Sequence, residues 1–396
     1  MAIVKFLMPT YREALTLVGA ACLVYISSYV SLVLSVTYPE LRFFGKYIFI
    51  TAALCIFLLT LDLKYKIPKF SGYFFILAFT IYYLVHCIIF EGGKLESYGL
   101  SIYIILLLGI GFWLLIKNEV QYLQILLLTW VVLFLSILYY IKIVIDFGVI
   151  QSRITPEDMG LELNGNALCF MSATLSILTL RIYEFYGFIK VNRSTKIWRL
   201  ATYVLISISL ACLVFSFWHL NMTFTLFNLI VLGLIVHRYS SNLMKMGLLA
   251  ALVAALTSID ITNFDVAFID QFEMYMDRLD SGGSSAQRLA QASYVYNQWL
   301  INPFFGASKQ FAVLDGSGSS NHTFYLNILA IYGVVGFILF MSLVLSLILP
   351  GIRRATMGQL LARALFLTMW MVGPSTYPQA IALLIMLPQR YYLTNH

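Results

Sequence analysis

The chain has 396 residues, 61% of them apolar and only 11% charged, with a net charge of +7 and a mean hydropathy of +0.87. A soluble domain carries about 25% charged residues, so this composition excludes a soluble globular enzyme. Apolar runs of about 20 residues recur, continuous rather than alternating, which excludes a transmembrane barrel as well.

The reading is therefore an all-α polytopic membrane protein, because helices satisfy every backbone group in lipid. About twelve spans follow from the apolar runs at a length of about 20 residues each. They centre on 14–36, 43–61, 71–90, 98–116, 122–144, 166–183, 200–218, 223–236, 246–259, 322–349, 360–373 and 379–389, the last two being short. No small-residue cleavage site follows the first run, so it is read as a retained span rather than a signal peptide. With the N-terminus inside, the inner connections hold 17 of the 25 basic residues and, of the 18 acids, only Glu13, Asp62, Glu119 and Glu184. That asymmetry orients the chain with both termini cytoplasmic. The basic balance is thus a topology signal and does not point to nucleic acid as a partner.

The inner connections are short and basic, as in KYKIPK (64–69), KVNRSTKIWR (190–199) and GIRR (351–354). Two outer segments stand apart, a first loop at 145–165 and a large one at 260–321, so that residues 1–396 form a single transmembrane domain with an external cap. Within the large loop, AFIDQFEMYMDRLD (267–280) has the period of an interfacial helix. A second helix is expected over 284–300, started by Ser284 or Ser285 and stopped by Pro303 and Gly306. On it Arg288, Gln291, Val295 and Trp299 share a face. DGSGSS (315–320) is able to turn tightly, and His322 opens the tenth span.

Chemistry is expected in this large polar loop, on a scaffold otherwise written for lipid. The guanidinium of Arg288 offers a planar fork matched to phosphate oxygens, near a helix N-terminus that also attracts anions. An ion pair with Asp277 or Asp280 would explain the same residue. His322 is placed to take a proton from a hydroxyl nucleophile, or simply to cap its helix. His86 and His219 also lie towards the outer side. Arg153 in the first loop is a second phosphate ligand or a partner of Glu157 or Asp158. NGN (164–166) caps the sixth span or joins a polar site. The five cysteines sit inside apolar runs with neither disulfide nor metal-ligand spacing, so no metal and no cofactor is expected. No P-loop, zincin or nucleophile-elbow motif occurs, and the spans hold almost no ionisable residues, which weighs against a proton- or ion-coupled transporter.

An arginine on a helix, then W…NPFFGAS, a Gly/Ser loop and NHTFYLNILAIYGVVGF together resemble the bacterial O-antigen polymerase and O-antigen ligase superfamily. The matching positions are Arg288, Trp299, Asn302, Pro303, Gly306, His322, Gly333 and Gly336, and NGNALCF (164–170) is similar to the segment that opens a span after the family's first loop. The likeness covers the architecture loosely and about 50 residues specifically, on short motifs. Two departures stand: the family's middle-span arginine is missing from FSFWHLNMTF (215–224), where His219 and Asn221 occur, and the family's His-Asn order is reversed in Asn321-His322.

The resemblance implies glycosyl transfer on the periplasmic face of the inner membrane. The donor is an undecaprenyl-diphosphate oligosaccharide and the acceptor another lipid-linked glycan, with membrane lipids and optionally a chain-length regulator as further partners. Arg288 and His322 are then the catalytic pair, and Arg153, Trp299, Asn321 and His219 the substrate-binding set. A ligase that passes the glycan to lipid A core is the alternative, and a lipid-linked oligosaccharide flippase or other transporter the second.

Overall fold

In the computed structural model, the residues described are 51, 72–95, 97–116, 119–146, 165–190, 196–218, 222–240, 242, 245, 283–308, 324–372 and 376–387. The expected spans at 14–36 and 246–259, that at 43–61 apart from residue 51, the interfacial segment 267–280 and the turn 315–320 lie outside them. Among the described residues every regular element is a helix. In chain order these are α1 (Gly72–Phe90), α2 (Ser97–Leu115), α3 (Glu119–Asp146), α4 (Gly165–Lys190), α5 (Lys196–Trp218) and α6 (Met222–Tyr239). There follow α7 (Gly283–Ile301), α8 (Phe324–Ile348), a short 3-10 turn (Ile352–Arg354), α9 (Met357–Val372) and α10 (Thr376–Met386).

Among the described residues four stretches are long and apolar enough to cross a membrane: Gly72–Phe90, Gln121–Tyr139, Leu200–Phe217 and Phe324–Arg354. Gly99–Leu114 and Thr223–Tyr239 are shorter apolar helices. A stripe of large apolar side chains stands exposed along α1 (Phe74, Leu77, Ile81, Leu84, Val85, Ile88), and similar stripes run along α5 and α6. Such faces are the ordinary exterior of a helix bundle whose solvent is lipid.

The helices fall into two compact units. One holds α4, α5 and α6 with the end of α3, and the other holds α1, α2, the first part of α3, most of α7, and α8 to α10. In the first, the three helices pack on one another through Phe170 against Phe224, with ring centroids 4.5 Å apart. Polar groups in this core pair through side chains. Ser176 Oγ bonds Ser209 Oγ at 3.1 Å, and Asn228 Nδ2 reaches Cys212 O and Ser216 Oγ, both at 3.2 Å. At the other end the buried Arg181 meets Glu184 at 3.4 Å, and Tyr239 donates to the same carboxylate at 3.2 Å.

In the other unit α1 packs on α8, α9 on α8, and α10 lies against α2 and α9. From Gln379 to Met386 every residue of α10 is buried, as is Leu387 just after it. That suits an apolar helix of 11 residues, which is too short to span about 30 Å of hydrocarbon and stable only inside protein. Gly109 of α2 lets Leu383 of α10 come close, since a Cβ there would lie 2.6 Å from its Cδ2. The expected segment 379–389 begins earlier, at Thr376, because Pro378 in the first turn costs no helical hydrogen bond. The segment expected over 360–373 likewise begins at Met357. A capping box starts it, in which Gln359 N donates to Thr356 Oγ1 and Thr356 N donates to Gln359 Oε1 at 3.0 Å. The buried Arg363 of α9 donates to Pro350 O at 2.6 Å and to Met386 O at 3.3 Å, collecting carbonyls at the ends of α8 and α10.

Candidate functional site

α7 runs over nearly the expected range and ends where Pro303 and Gly306 were expected to stop it. Its inward face carries the buried Val295 and the half-buried Trp299, while Tyr296, Leu300 and Ile301 are exposed. Arg288 lies seven residues before Val295, in the helical register expected of that face; side chains of α7 are described from Ala292 onward.

The turn after α7 is closed on itself. Asn302 N donates to Trp299 O at 3.1 Å, Gly306 N to Asn302 O at 2.9 Å, and the Trp299 indole N–H to Pro303 O at 3.0 Å. Gly306 holds a positive φ of 75°.

α8 is broken at Gly333, whose φ of 66° and ψ of −173° lie in a region open essentially to glycine alone. A break inside an apolar span frees backbone groups that lipid cannot satisfy. Here the turn 302–307 supplies their partners. Val334 N donates to Pro303 O at 2.9 Å, Val335 N to Phe304 O at 3.2 Å, and Ala307 N to Ala330 O at 3.1 Å. From α1, the Tyr82 hydroxyl donates to Tyr332 O, and it lies 3.4 Å from Phe305 O. The two segments are so close that a Cβ on Gly306 would overlap the Ile331 carbonyl, and one on Gly333 the carbonyl of Phe304. A Cβ on Gly336 would overlap Tyr332 and lie 2.6 Å from the Tyr82 ring.

Below this join lies an aromatic layer. Tyr332 is fully buried and meets Phe79 at 6.0 Å, Tyr83 at 6.2 Å and the imidazole of His86 at 4.9 Å. His86 is itself buried and stacks on Phe90 at 4.6 Å.

Of the residues expected to do chemistry, Trp299 is described with its side chain and lies in the join, and Arg288 is placed on α7. His322, Asn321, Arg153 and His219 lie outside the described residues; α8 begins at Phe324, two residues after His322. The join adds three residues to which sequence reasoning gave no role: Tyr82, Tyr332 and His86. The i, i+4 spacing of Tyr82 and His86 on one face of α1 was a readable signal, but a weak one in a chain with 26 tyrosines. Among the described residues no cluster of three or more metal-ligating side chains occurs. No protein-family model matches the chain, and no curated protein is significantly similar to it.

Proposed function

We propose that the chain is a membrane glycosyltransferase. In this reading it polymerises undecaprenyl-diphosphate-linked oligosaccharide repeat units, of O-antigen or a related surface polysaccharide, on the periplasmic face of a bacterial inner membrane. The observation that carries the reading is the join between α7 and α8. Trp299, Asn302, Pro303, Gly306, Gly333 and Gly336, six of the eight positions on which the family resemblance rests, belong to one bonded and closely packed structure. That structure ties the helix bearing Arg288 to the helix that starts just after His322.

The acceptor hydroxyl attacks the anomeric carbon of the donor, and the glycosidic bond forms as the bond to the diphosphate oxygen breaks. His322 takes the hydroxyl proton. Arg288, with Arg153 as a second cation, stabilises the charge that develops on the leaving diphosphate. Trp299, Asn321 and His219 are assigned to binding the glycan.

The test is a reconstitution in nanodiscs with the lipid-linked repeat unit alone, followed by mass spectrometry of the products. A ladder of longer lipid-linked glycans is expected, falling about 100- to 10,000-fold in rate in His322→Ala, as loss of a general base does. Arg288→Ala is expected to lose a comparable factor. Transfer only after addition of lipid A core would make the chain a ligase. Absence of any glycan product with either acceptor would overturn the enzyme reading in favour of a transporter.

A further inference from the structure

The join also fixes how deep the end of α7 lies along α8, independently of any catalytic reading. Val335 N bonds Phe304 O, so Phe304 sits level with Val335. α8 and the turn after it form a 31-residue stretch, Phe324–Arg354, long and apolar enough to cross a membrane. One end is marked by Gly351 and the exposed Arg353 and Arg354. At about 1.5 Å per residue, Val335 lies about 21 Å from Leu349. With Leu349 at one boundary of a hydrocarbon core about 30 Å thick, Val335 is about 9 Å inside the other boundary. The neighbouring helix agrees: Tyr82 reaches Phe305 O, and around it on α1 the exposed side chains are Ile81, Leu84 and Val85.

At this level the end of α7 presents Ile301 at 76% exposure, Phe304 at 66% and Phe305 at 54%. The start of α7, GSSAQRLAQ, is polar. The element therefore runs from a polar beginning to an apolar tip and turns back. Non-helical backbone is tolerated at membrane depth only where protein satisfies it. For this turn, bonds from Gly306, Val334, Val335 and Tyr82 occupy the carbonyls of residues 302–305, and Ala307 N donates to Ala330 O. We propose that the tip of α7 and the turn 302–306 form a re-entrant wedge in the leaflet opposite Arg353 and Arg354, with Ile301, Phe304 and Phe305 packed against the acyl chains of bilayer lipids.

The inference uses neither Arg288 nor His322, so it stands or falls apart from the glycosyl-transfer reading. The photoreactive residue p-benzoylphenylalanine is placed at 304, 305 or, as a further site, 301 in the full chain. The protein is reconstituted in nanodiscs of one synthetic phosphatidylcholine, irradiated and analysed by mass spectrometry. Position 88, on the exposed face of α1, provides the lipid-contact standard. Lipid adducts at 304 and 305 in yields within about threefold of position 88 are expected. Cross-links to another part of the chain or to a second copy, or lipid yields tenfold or more below position 88, would overturn the wedge. Having three neighbouring sites keeps the test decisive if one variant fails to fold.

Discussion

The two units of this chain solve one problem in opposite ways. Both bury polar groups where lipid offers no partner. In the α4–α6 unit the helices stay unbroken, and side chains such as Ser176, Ser209 and Asn228 meet across the interface. In the unit around α8 the helix is broken, and the main chain of a neighbouring turn repairs it. Side-chain pairing tolerates replacement, because the helices keep their own ladders. Backbone pairing demands contact closer than any Cβ allows, and so makes particular glycines indispensable.

The sharpest way to break the comparison is Gly333→Ala. Its backbone angles cost a residue with a Cβ about 1–3 kcal/mol, and overlap with the Phe304 carbonyl adds to that, so a total near 3 kcal/mol or more is expected. Gly333→Asn should fare no better, since asparagine relieves only the left-handed helical region. Yield of monodisperse protein and its thermal midpoint in detergent are the readouts. Near-native behaviour of either variant would show that the join is dispensable to the fold.

Tyr82→Phe tests the same join without touching its backbone. The ring stays, but the Tyr332 and Phe305 carbonyls lose a donor. A cost of about 1–2 kcal/mol is expected for removing the donor from the carbonyl of the buried Tyr332. The effect sharpens the comparison if amide exchange at Val334 and Val335 rises with it, since those two amides hold the other side of the join. Unchanged exchange would separate Tyr82 from the repair.

Much of this was legible in the sequence, and for identifiable reasons. Apolar runs announce helices because the period and length of the pattern are local, so 71–90 became Gly72–Phe90 and 98–116 became Ser97–Leu115. The stop after Ile301 was legible from Pro303 and Gly306. The break at Gly333 was not: a glycine in an apolar run reads equally as close helix packing, as Gly109 shows against Leu383. Its role rests on a partner about 30 residues away, and backbone bonds between distant segments leave no mark in composition or periodicity. Motif spacing picked out the participating residues without saying what they do. The capping box at Thr356 and Gln359 was readable three residues apart and passed unused.

The smallest expected effect lies in the other unit, at Ser176→Ala. Membrane-buried hydrogen bonds between side chains contribute about 0.6 kcal/mol on average, because the separated helices find partners of their own. The chain shows what that partner is: Ser136 Oγ bonds Val132 O, and Thr174 Oγ1 bonds Phe170 O, each at 2.7 Å within its own helix. Ser209, left by Ser176, has the same recourse to the carbonyl one turn back. A cost of about 0.5 kcal/mol or less follows, with the thermal midpoint scarcely moved. A loss as large as that of Gly333→Ala would mean that the α4–α6 core depends on the Ser176–Ser209 bond for its register, and the contrast between side-chain and backbone pairing would fail.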